Sequence, residues 1–119
     1  MLDRVLRIGL LFDFYGALLT EKQRQCLEMH YLNDLSLSEI AEEYNVSRQA
    51  VHDILRRAEQ TLKEYELKLR LIERYQEQQH AIKQVYESIN KLPPHLREIK
   101  EINQAIIDLG ILMDSAKEV

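Results

Sequence analysis

A chain of 119 residues with net charge −4 and a single cysteine suits one compact domain with an appendage, and excludes an intrachain disulfide or a cysteine-built zinc site. Apolar residues at 45% and charged residues at 30% exclude a disordered chain, and no segment concentrates the basic stripe that bulk phosphate binding needs. Three Gly and two adjacent Pro favour long helices over many short strands, so the expected class is all-α.

The first helix is expected over residues 3–19, where Val5, Ile8, Leu11, Phe12, Tyr15, Leu18 and Leu19 recur at steps of three and four. Gly9 and Gly16 share one side of it, where they would let another helix approach closely. Asp3, Arg4, Arg7 and Asp13 interrupt the apolar run, which is too short and too charged to cross a bilayer. It also lacks a small-residue cleavage site, so a cytoplasmic protein without membrane insertion is expected.

Thr20 and Gln23 have the spacing of a capping box and open a helix over about residues 21–31, which packs through Leu27 and Tyr31. Cys26, beside Leu27 and Met29, is expected as a buried thiol. Asn33 and Asp34 stop that helix with turn chemistry. Ser36 with Glu39 repeats the box and starts a short helix over residues 37–44, with Leu37, Ile40, Ala41 and Tyr44 inward. Asn45 takes the tight left-handed turn, Val46 fills the angle, and Ser47 caps the next helix. Ala41 is the small residue that two crossing helices need at their closest point.

From Arg48 the alternation continues through Val51, Leu55, Ala58, Leu62, Tyr65, Leu69, Ile72, Tyr75, Ile82 and Tyr86 to Ile89. Unbroken, that helix would span roughly 64 Å. A bend or an exposed stretch is therefore expected at Gln76 to His80, a run with no apolar residue. Part of the ladder also has coiled-coil spacing, which suits either an internal seam or a homodimer. Pro93 bars helix at Leu92, and a last helix from His95 or Leu96 to Asp114 carries Ile99, Ile102, Ala105, Ile106, Leu109 and Met113, with Gly110 on another face. The expected organisation is a first helix plus helix-turn-helix over residues 1–62, then a helical extension over 63–119 for dimerisation or packing.

The segment Leu35 to Leu62, LSLSEIAEEYNVSRQAVHDILRRAEQTL, has the layout of a helix-turn-helix: a capped helix, a polar turn and a second capped helix. In such a unit the second helix enters a DNA major groove, presenting Arg48, Gln49, His52, Asp53 and Arg56, with Arg48 suited to guanine and Gln49 to adenine. Ser47 and Arg57 would face phosphates, with Lys22 or Arg24 helping from the flank. The plainer alternative is a solvated helix face, with Arg56 paired to His52 or Glu59. Residues 37–60 carry three bases against five acids, and the surrounding Glu42, Glu43, Asp53 and Glu59 oppose generic DNA binding. His30, His52, His80 and His95 are widely spaced without ligand patterns, and no phosphate loop or catalytic pair stands out. No metal, cofactor or enzyme activity is expected.

Residues 20–62, with LTEKQRQCLEMHYLNDLSLSEIAEEYNVSRQAV, resemble region 4 of bacterial sigma factors. That rhythm, joined to the N-terminal RIGLLFDFYGALLTEKQ and the LSLSEIAEEYNVSRQAVHD block, resembles the YlxM family of small bacterial helix-turn-helix proteins over nearly the whole chain. Members of that family are encoded beside components of the signal recognition particle. The resemblance implies a regulator or adaptor in that pathway, with the particle's protein or RNA as partner. The alternative is a dimeric, sequence-specific regulator on double-stranded DNA.

Overall fold

The computed structural model describes residues 2–117, and the side chains of residues 3–113. Seven α-helices follow one another: α1 Leu2–Tyr15, α2 Glu21–Leu27, α3 Leu37–Tyr44, α4 Arg48–Leu69, α5 Leu71–Asn90, α6 Pro94–Arg97 and α7 Lys100–Lys117. A 3₁₀ turn, Gly16–Leu18, follows α1, and a π turn, Glu28–Leu32, continues α2. The class is all-α, with no strand among the described residues. None of these helices is long and apolar enough to cross a membrane. The chain divides into two compact units, the first ending at Ile72 and the second beginning at Glu73.

In the first unit the capping signals act as local chemistry dictates. Thr20 and Ser36 each accept from the backbone N–H three residues on, and Gln23 and Glu39 reach back to the cap N–H. Asn45 stands in the left-handed region at φ 53°. There the N–H of Asn45 meets the carbonyl of Glu42 at 3.3 Å, and that of Val46 meets Ala41 at 3.0 Å, the paired bonds of a Schellman motif. Ser47 Oγ then accepts from Ala50 N at 3.0 Å and starts α4. The helix-turn-helix is thus closed by backbone bonds at each of its joints.

Helix α4 packs against α1, α2 and α3. Its inward stripe, Val51, Leu55, Ala58 and Leu62, is buried with Ile8, Leu11, Tyr15, Leu27 and Ile40. The coiled-coil spacing along α4 is therefore an internal seam, because α1 lies over it. Cys26 is fully buried, and burial pushes its thiol pKa up. At Gly9 no helix among the described residues makes the expected close approach, since a Cβ there would meet nothing within 4 Å; at Gly16 the nearest atoms to a Cβ are those of the Phe12 ring, at 3.1 Å.

The long alternation does break, but six residues before the stretch that its composition suggests. Arg70 takes the left-handed conformation at φ 56° and separates α4 from α5. Gln76 to His80 lie inside α5 without interruption. In the second unit the Tyr86 ring of α5 lies beside Gly110 of α7. The last helix is also divided, because the single turn of α6 ends before α7 restarts at Lys100. No described side chain from Glu73 to Met113 is buried, and Val85, Ile107, Ile111 and Leu112 are exposed.

Candidate nucleic-acid interface

The cap at Ser47 aims the first two turns of α4 outward, so Arg48, Gln49, His52, Asp53, Arg56 and Arg57 are all exposed. Helical spacing sets Arg48, His52 and Arg56 in one row, one turn apart, beside the buried stripe. Two clefts lie along this row. One is lined by Leu37, Arg48, Gln49 and His52, and the next by Arg4, His30, Tyr31, Leu37, His52, Leu55, Arg56 and Glu59. They share Leu37 and His52, so they form one groove that runs from the first turn of α4 towards α1.

Of the sequence candidates, the groove brings together Arg48, Gln49, His52 and Arg56. Arg57 sits about 100° further round the helix and lines neither cleft. Lys22 and Arg24 stand on α2 and do not line it either. Ser47 commits its hydroxyl to the cap of α4. Gln49 donates to Asp53 at 3.2 Å, and His52 Nδ1 lies 3.8 Å from the same carboxylate. Arg48, Arg56 and Arg57 have no ion pair among the described residues. The alternative pairing of Arg56 with His52 or Glu59 is absent among the described residues: Glu59 is bonded to Arg4 and Tyr31, and His52 lies nearest Asp53.

Sequence periodicity gave no reason to place Arg4, His30, Tyr31 or Glu59 together. Glu59 is buried to 7% exposure, and it accepts from Arg4 Nη2 at 2.9 Å and from the Tyr31 hydroxyl. Burial, then the bond to Glu59, pushes the Tyr31 phenol up to about 12. Glu59 in turn holds the Arg4 guanidinium in its charged form. His30 Nδ1 lies 2.9 Å from the Leu35 carbonyl; a carbonyl only accepts, so this nitrogen donates and Nε2 is the acceptor of the ring. The π turn positions both His30 and Tyr31, and such wide turns often carry functional side chains. The missed signal was the tertiary return of α1 and the π turn onto α4, which no local pattern encodes.

With three helices, a Schellman turn and an outward α4 in place, comparison with known proteins is decisive. Residues 2–104 match the model of the UPF0122 family, described as "Putative helix-turn-helix protein, YlxM / p13 like". The chain belongs to that family. A UPF0122 protein of Shouchella clausii (strain KSM-K16) is 54% identical over 89 residues, covering 75% of this chain and 82% of the relative. UPF0122 proteins of Bacillus cereus (strain AH187) and Bacillus anthracis (strain A0248) are each 46% identical over 106 residues, covering 89% of this chain and 96% of the relative. The UPF0122 match takes in the whole helix-turn-helix unit, with the groove on α4, and most of the second unit.

Proposed function

We propose that this UPF0122 member is a cytoplasmic regulatory protein that serves as an accessory factor in the signal recognition particle pathway, acting by binding rather than catalysis. The observation that carries this reading is the α4 groove, a recognition-type helix with unpaired arginines in a chain of net charge −4. Such a balance suits one selective nucleic-acid or ribonucleoprotein partner and disfavours bulk DNA. The pathway itself is what the resemblance of the sequence to YlxM proteins implies. Tagged full-length protein is expected to retain the particle's protein or its RNA from native cell extract. Retention of neither overturns the reading.

A second reading, a dimeric sequence-specific regulator on double-stranded DNA, is favoured by the exposed first turn of α4. Arg48 and Gln49 are the pair suited to base edges, with Ser47, His52, Arg56 and Arg57 beside them and Lys22 or Arg24 on the flank. A homodimer through the second unit is supported by its apolar side chains, none of which is buried among the described residues. Selection from random duplexes is expected to enrich one two-fold site, and Arg48→Ala to abolish the enrichment. Failure to enrich any site at low salt removes this reading.

A further inference from the structure

We propose that the cleft between Arg4, His30, His52 and Arg56 is a seat for one backbone phosphate of a nucleic acid. The inference deepens the reading of α4 as a nucleic-acid face and rests on it. Its own basis is the return of α1 and the π turn to one end of the α4 groove, which extends the interface beyond the helix-turn-helix.

The charges in the cleft can be followed one by one. Among the described residues Glu59 is the only carboxylate lining it, and Arg4 sits on it at 2.9 Å while Tyr31 donates to its other oxygen. That pair is neutral as a unit and holds Glu59 away from an incoming anion. Arg4 uses one nitrogen in this contact and its side chain is 69% exposed, so the rest of its guanidinium fork remains open. Arg56 brings a whole unpaired positive charge. His30 lines the cleft with its Nδ1 held on the Leu35 carbonyl, so its Nε2 is an acceptor and the donors to an anion are the two guanidinium groups. Leu37 and Leu55 supply apolar walls, which strengthen a charge-assisted hydrogen bond by lowering the local dielectric.

Geometry selects a backbone phosphate over an isolated anion. Arg48 and Arg56 lie about 12 Å apart along α4 at 1.5 Å per residue. That span is comparable with the width of a duplex groove, so base edges can meet one end of the row while the strand's backbone meets the other. Positioning contacts of this kind fix register without reading sequence.

The test uses full-length protein, a labelled mixed-sequence DNA duplex and a labelled hairpin RNA, each titrated across a salt series. Arg56→Gln is expected to reduce the slope of log affinity against log salt by about 1. Arg74→Gln removes the same charge from an exposed position of the second unit and is expected to leave the slope unchanged. The His30 ring resonances are expected to shift when the bound duplex or hairpin is added to the wild type, and to shift far less in Arg56→Gln. Which of the two probes produces these effects assigns the strand. Persistent binding with the wild-type slope in Arg56→Gln overturns the seat and leaves the nucleic-acid reading standing. Equal losses in both variants also overturn the seat, because they signal a general charge effect. No binding of either probe overturns the seat, and the reading of α4 is then decided by the extract and selection experiments above.

Discussion

Tyr15 and Glu66, 51 positions apart in the chain, together cap the start of α5. The Tyr15 hydroxyl donates to Glu66 Oε1 at 2.5 Å and accepts from Leu71 N at 3.0 Å, while the same carboxylate oxygen accepts from Ile72 N at 3.1 Å. Two backbone donors at the break after Arg70 are satisfied by side chains from α1 and α4. The buried Tyr15 ring also stacks on Tyr65, with centroids 5.9 Å apart. A helix start inside the fold is held by tertiary contacts instead of a local capping residue.

Tyr15→Phe keeps the ring and removes both roles of the hydroxyl. It leaves the Leu71 N–H and one carboxylate oxygen with a partner fewer. A loss of about 1–3 kcal/mol is expected in denaturant unfolding. An unchanged midpoint would show that water replaces the cap without cost.

At Asn45, φ 53° and ψ 48° place a non-glycine residue where side chains are strained. Asn45→Ala is expected to cost about 1 kcal/mol, because alanine tolerates that region less well than asparagine. Asn45→Gly is expected to change stability by less than about 0.5 kcal/mol, its relieved strain offset by greater freedom of the unfolded chain. Thermal melts of the two variants check the order, and equal effects would refute the turn's role.

The Tyr31–Glu59 contact predicts a pH dependence with a definite sign. The Tyr31 phenol rises from 10.0 to about 12 in the folded chain, so its neutral form is the one the fold prefers. Its stabilisation is complete below pH 10 and is lost as pH rises from 10 to about 12. The stability difference between wild type and Tyr31→Phe is therefore expected to shrink across that window. Glu59→Ala is expected to cost about 2 kcal/mol at neutral pH, chiefly through the unpaired phenol, since exposed Arg4 regains water. A difference that stays constant through the window would contradict the assignment.

Gly9 and Gly16 are expected to respond oppositely to alanine. A Cβ at Gly9 meets nothing within 4 Å, so Gly9→Ala is expected to stabilise α1 by about 0.5–1 kcal/mol. At Gly16 the Cβ would lie 3.1 Å from Phe12 ring atoms, and that ring packs against the core. Gly16→Ala is expected to cost about 1 kcal/mol. Chemical denaturation of both variants measures the signs directly.

The capping boxes at Thr20 and Ser36, the left-handed Asn45 and the cap at Ser47 were legible because each is a bond between near neighbours. Their residue types and spacing specify the geometry whatever else surrounds them. The inward face of α4 was legible for a related reason: a period of three and four places one stripe against whatever core forms. The exposed row Arg48, His52 and Arg56 followed as its complement. These local rules made the helix-turn-helix and the first end of its groove readable in advance.

What needed the folded chain was every feature made by residues far apart. Arg70, and not Gln76 to His80, ends α4, because Tyr15 and Glu66 are there to receive the freed backbone donors. Lack of apolar residues does not break a helix; satisfied ends do. In the same way Arg4, His30 and Glu59 join the groove only when α1 and the π turn come to rest beside α4. Short-range hydrogen bonding wrote the motif into the amino-acid order, whereas long-range packing decided where the helices part and which charges share a cleft.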